Sequence, residues 1–99
     1  MIEIHRVPTF SNDIIMRMTE GEKIISEAKA VANDDGSAEI ISLNSYDMGK
    51  ALLNAIDLMG IKNVLCYDKE LDKLLRALCF KYENDVYRLD LTGYFDSGC

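Results

Sequence analysis

The sequence predicts an α+β domain, a mixed and mostly antiparallel sheet with two helices packed on it. Three observations carry this. Turn-forming residues cut the first half into short segments of strand period. The second half alternates strand, helix, strand and helix, and the C-terminal stretch reads as a hairpin. No repeat, low-complexity tract or linker interrupts the 99 residues, so residues 1–99 form one domain.

In chain order, Met1 to Val7 is apolar at several positions and stops at Pro8, the pattern of an edge strand. Asp13 to Thr19 places Ile14, Met16 and Met18 on one side, and Gly21 suits a hairpin turn after it. Glu22 to Ala32 is ambiguous. Ile24, Ile25, Ala28, Val31 and Ala32 fit a helical stripe, whereas Ala28, Ala30 and Ala32 fit a strand, and the pattern alone favours the helix slightly. Asn33-Asp34-Asp35-Gly36-Ser37 is a turn, followed by a strand-length apolar run in Ala38 to Asn44. Met48, Ala51, Leu52, Ala55, Ile56 and Met59 recur at helical spacing and end at Gly60. Asn63 to Tyr67 is a short buried strand. Asp68 then caps a second helix with the stripe Leu71, Leu74, Leu75 and Leu78, on which Asp72 and Arg76 pair one turn apart. Phe80 to Glu83 and Val86 to Leu91 flank a turn at Asn84-Asp85.

Charge and composition exclude several functions. Eleven basic against seventeen acidic residues give a net charge of −6, with no basic cluster and no Trp. Phosphate backbones and anionic lipid are repelled by such a surface, so neither nucleic acid nor membrane is an expected partner, while a cationic amine is attracted. No stretch approaches the ~20 apolar residues of a membrane helix. Met1-Ile2-Glu3-Ile4-His5-Arg6 lacks the parts of a secretory signal, and a cytoplasmic location is expected. Cys66, Cys79 and Cys99 form no C-x-x-C pair, so neither a disulfide framework nor a metal site is indicated. Cys66 and Cys79 read as small buried hydrophobes, and Cys99 as a terminal residue without an evident base.

The informative junction runs from Ile40-Ile41-Ser42-Leu43 through Asn44-Ser45-Tyr46-Asp47-Met48 into Gly49-Lys50-Ala51-Leu52-Leu53. A helix start carries N–H groups without internal partners and the positive end of the helix dipole, so it can hold a phosphate. Gly49 would let backbone approach closely, Ala51 keeps the turn uncrowded, and Lys50 adds a cation. A Gly at such a junction is also an ordinary turn residue.

Together with the helix, strand and second helix downstream, this run resembles the GNAT N-acetyltransferase family. Tyr46-Asp47-Met48-Gly49-Lys50-Ala51 is similar to the family's Q/R-x-x-G-x-G/A loop at Gly49 and Ala51. Leu74-Leu75-Arg76-Ala77-Leu78-Cys79-Phe80 looks like its "LYEKLGF" segment, and Tyr87-Arg88-Leu89-Asp90-Leu91 looks like its closing strand. The resemblance covers about Glu22 to Tyr94, turns the ambiguous segment towards strand, and implies acetyl-CoA as co-substrate. It implies Leu43, Ser45, Met48, Gly49, Lys50 and Ala51 as the acetyl-CoA site, and Glu39 as the base that takes a proton from an attacking amine. Glu39 is equally what a solvated strand residue looks like. No covalent intermediate and no metal are implied.

The chain departs from the family at several points. Tyr46 stands where the loop opens with Gln or Arg, Leu75 where a Tyr protonates the leaving thiolate, Asp68 for Asn and Cys79 for Gly. Tyr87 or Tyr94 could stand in for the missing Tyr. Only Thr9 to Asn12 lies where two helices usually form much of the acceptor site, leaving a sheet face or edge uncovered and pointing to a homodimer. The leading expectation is an acetyl-CoA-dependent N-acetyltransferase for a small or protein-borne amine. The alternatives are a catalytically degenerate CoA-binding or protein-interaction module of the same fold, and a subunit that docks its sheet on a partner enzyme.

Overall fold

The computed structural model describes residues 1–97, and in it every alternating segment of the first half enters one sheet. The strands are β1 (Ile2–Val7), β2 (Asp13–Glu20), β3 (Lys23–Ala32), β4 (Ser37–Ser42), β5 (Asn63–Cys66), β6 (Lys81–Glu83) and β7 (Val86–Asp90). Their spatial order is β1-β2-β3-β4-β5-β7-β6, antiparallel throughout except for the β4–β5 pair. Turn chemistry sets the hairpins: Gly21 takes φ +61°, and Asn84 and Asp85 take φ 53° and 66°, the left-handed pair that a two-residue turn between twisted strands requires.

The segment Glu22 to Ala32 is strand from Lys23 on, not the helix its pattern slightly favoured. Ala28 and Ala30 are fully buried opposite Met16 and Ile14, whereas Ile24 and Ile25, which gave the helical stripe, stay exposed near a bulge. Pairing with β2 therefore outweighs the local period.

Helix α1 (Tyr46–Leu58) makes the crossover between the parallel strands and packs on β1, β2 and β3. Leu52, Leu53 and Ile56 are fully buried, each contributing about 1.5–3 kcal/mol of apolar burial. Asp68 caps a short 3-10 turn (Lys69–Leu71) that leads into α2 (Asp72–Ala77), whose Leu75 is fully buried. Arg76 Nε pairs with Asp72 at 2.9 Å, as spaced in the sequence. A short third helix, α3 (Tyr94–Ser97), has no counterpart in the sequence pattern.

Buried residues of the sheet and of all three helices form one core. The opposite sheet face carries Arg17, Glu27, Lys29, Glu39, Ile41, Arg88 and Asp90, half-buried or exposed. The five residues between β1 and β2 hold no helix, so this face is left bare. Among the described residues no helix is long and apolar enough to cross a membrane, and no cluster of three His, Cys, Asp or Glu could hold a metal ion.

Candidate active site

β4 and β5 pair only through Ser37–Asn63, Ala38–Val64 and Glu39–Leu65. Beyond Glu39 the two strands part. Ile40, Ile41 and Ser42 continue β4 without a β5 partner, and the chain then turns at Leu43-Asn44-Ser45 into α1. Unpaired strand backbone is a ready template for an extended ligand carrying amide groups. Ile40, Leu43 and Cys66 are buried around this gap and Ile41 is exposed, so it is apolar on one side and open on the other.

At the start of α1, Ser45 is extended (φ −156°, ψ 158°) and its Oγ accepts the Met48 N–H at 3.2 Å. The Gly49 N–H donates to the Ser45 carbonyl at 3.0 Å, the first bond of the helix. Tyr46 and Asp47 are thus the residues whose N–H groups face outward at the helix start. Asp47 also places a carboxylate in that first turn, which favours the helix dipole and opposes a second anion.

Gly49 has a packing reason to be glycine. A Cβ there would lie 2.6 Å from Leu78 Cδ1 and 3.4 Å from Leu43 Cδ2, so packing against Leu78 by itself disfavours a side chain. Lys50 Nζ lies 4.4 Å from the Tyr94 ring centroid and 5.7 Å from those of Tyr46 and Phe95. Burial pushes this ammonium down, but the Tyr94 and Tyr46 hydroxyls outweigh it and hold Lys50 above the ordinary lysine value. Met48 is fully buried and Ala51 half-buried. Leu43 through Ala51 lie together where β4 turns into α1. Most of their side chains serve the helix start itself.

Glu39 occupies the last β4–β5 pair, half-buried on the bare face between Val31 and Leu65. A concavity of about 360 Å³ begins at Leu65 and is lined further by Asn63, Lys81, Glu83, Arg88 and Asp90. It lies one strand away from Glu39 and not over the α1 start.

The tyrosines weighed as proton donors are engaged elsewhere. Tyr87 donates its hydroxyl to Asp72 Oδ1 at 2.5 Å and is thereby pushed up to about 12; Tyr94 donates to the Leu78 carbonyl at 2.9 Å. Leu75 lies fully inside the core. Sequence reasoning passed over Tyr67, which follows β5 directly and is exposed at the end of the gap. Its signal was a hydroxyl-bearing residue just past the second parallel strand. Cys66, by contrast, is buried, and burial pushes its thiol up, away from a nucleophilic thiolate. Cys79 is half-buried against the core, with a positive φ of 74°. Cys99 lies outside the described residues.

No protein-family model matches the sequence, and no curated protein matches it. Solved structures do match its fold. An Exiguobacterium protein provisionally described as an acetyltransferase superposes with a TM-score of 0.67 at 14% identity, over 99% of this chain and 99% of that one. A GNAT-family acetyltransferase from Staphylococcus aureus gives 0.63 at 12% identity, over 82% of this chain and 69% of its own. A cAMP-binding acyltransferase from Mycobacterium smegmatis gives 0.65 at 15% identity, and the present chain spans only 31% of its length. The chain therefore has the fold of the GNAT acetyltransferases, as the resemblance implied; its described residues form seven strands and three helices, one helix more than expected.

Proposed function

We propose that this chain is an acetyl-CoA-dependent N-acetyltransferase in which an amine attacks the thioester directly. The observation that carries the reading is the parting of β4 from β5 beyond Glu39, which leaves Ile40–Ser42 paired to β3 but without a strand partner on the β5 side. The amide-bearing arm of the co-substrate fits that edge as an added strand. Backbone N–H groups around Leu43 are the donors for the thioester oxygen as charge develops on it. Ser45, Met48, Gly49, Lys50 and Ala51 build the helix start that faces the diphosphate. Glu39 takes the amine's proton, directly or through water, and as the C–N bond forms the C–S bond breaks and CoA leaves as a thiolate that water protonates. The concavity beginning at Leu65 receives the amine, within reach of the Glu39 row. The raised thiol of Cys66 supports transfer without an enzyme-bound acyl group. The setting is cytoplasmic, and the working unit is two copies of the chain, because a sheet face and the outer β1 edge are both left uncovered.

A second reading is favoured by specific residues. Asp47 opposes an anion at the helix start, Leu75 cannot donate a proton, and Tyr87 and Tyr94 spend their hydroxyl protons within the protein. On that reading the chain binds CoA or a protein and has lost catalysis. Calorimetric titration with acetyl-CoA, followed by thiol release across a panel of amines, separates the two. Binding with release supports the enzyme, binding without release supports the degenerate module, and no binding overturns both CoA readings.

A further inference from the structure

β1 is a six-residue outer strand with five of its residues exposed, and its free edge carries no proline, bulge or covering segment among the described residues. Edges of this kind are blunted in most proteins, because they present a row of unpaired N–H and C=O groups to any other strand. The other edge, β6, has only three residues. We propose that two copies of this chain join edge to edge through β1, antiparallel about a two-fold axis at Ile4, making one continuous sheet. The inference rests on the two-copy part of the proposed function and names its surface.

Symmetry and charge select the register. A two-fold axis perpendicular to the sheet keeps each residue on its own face, so facing residues share parity and the axis falls on a residue. An axis at Glu3 would set Glu3 against its own copy. An axis at His5 would set two imidazoles together, each already beside Arg17 on β2. With the axis at Ile4, Ile4 faces Ile4, Ile2 faces Arg6, and each Glu3 faces the other copy's His5. The row on the bare face then alternates sensibly: Glu3 of one copy, then His5, Arg17 and Glu27 of the other, with Arg17 already paired to Glu27 at 2.5 Å. On the helix-bearing face Arg6 faces the other copy's Ile2 and its Nη2 reaches Met59 Sδ, just past α1, at 3.4 Å, so no like charges meet. The Glu3 carboxylate can accept a hydrogen bond from the facing imidazole N–H, and like charges placed directly across a strand pair oppose pairing.

Sedimentation equilibrium at about 100 μM, above the micromolar range in which modest interfaces dissociate, tests this on the full chain. The expected result is twice the chain mass. Ile4→Lys, which sets two ammonium groups at the axis, and Glu3→Lys, on an exposed residue, should each weaken association by at least about tenfold. The double swap Glu3→Lys with His5→Glu sets a lysine opposite a glutamate at the same two positions and should restore the dimer. Circular dichroism on the same samples checks that each variant is folded. A monomeric native chain overturns the proposal. A dimer that survives Ile4→Lys overturns the β1 edge while leaving two copies in place, and failure of the double swap to restore association overturns the register. Acetyl-CoA titration of the same samples reads the acetyl-transfer proposal separately, since the helix start and the β4–β5 gap lie within each copy.

Discussion

At the scale of single residues, Glu39 and Gly49 make opposite demands on explanation. Glu39 sits where the parallel strands part, half-buried and on the face open to an acceptor. Glu39→Gln keeps its shape and removes its basicity, so turnover should fall by about 10²–10⁴-fold while acetyl-CoA affinity stays unchanged. Steady-state kinetics beside a binding titration checks this, and an equal loss in both would make Glu39 a binding residue. Gly49 is different. Glycine inside a helix normally costs about 0.5–1 kcal/mol relative to alanine, so Gly49→Ala would ordinarily stabilise. Here the new methyl would meet Leu78 Cδ1 at 2.6 Å, and a net loss of about 1–3 kcal/mol in chemical denaturation is expected. A higher melting temperature would refute the packing account. The sequence made the glycine visible but not its reason, because Leu78 is distant along the chain and only tertiary packing brings it there.

At the scale of elements, the start of α1 carries competing demands. Asp47 suits the positive end of the helix dipole and opposes a bound diphosphate there. Asp47→Asn should therefore lower stability by about 0.3–1 kcal/mol and tighten acetyl-CoA binding, the second effect fading at high salt. Changes of the same sign would place the diphosphate elsewhere. The link between α2 and β7 is the hydroxyl that Tyr87 gives to Asp72, beside Arg76. Tyr87 donation, then Arg76, holds Asp72 below its usual value, so this link stabilises above about pH 4 and is lost as pH falls through the lowered value. Tyr87 is raised to about 12, so its share is fully present below about pH 10 and is lost as pH rises towards 12. Tyr87→Phe should flatten the stability profile at both ends relative to the native chain. Asp35 and Asp90, held down chiefly by hydrogen bonds from Ser37 and Thr92, keep their own acid dependence in both proteins.

At the scale of the whole molecule, one helix-covered face and one bare face distinguish this chain from a closed three-layer domain. If two copies share the β1 edge, the unfolding temperature should rise with protein concentration in the native chain and not in Ile4→Lys. Scanning calorimetry over a hundredfold dilution reads this, and identical curves would argue that folding and association are uncoupled. The β2, β4 and β7 strands, the α1 face and the Asp68 cap were legible because local period and turn residues fix them without help from distant chain. β3 was not legible from its period, since Ile24, Ile25, Ala28 and Val31 mimic a helix and only pairing with β2 settles the matter. The sequence by itself determined the acidic surface and, β3 and the short α3 apart, the order of elements. Tertiary structure alone decided which backbone is left without a β5 partner beyond Glu39, that Leu78 is what Gly49 accommodates, and that Tyr94 closes over Lys50. Those depend on contacts between residues far apart in the chain, and local pattern carries no record of distance in space.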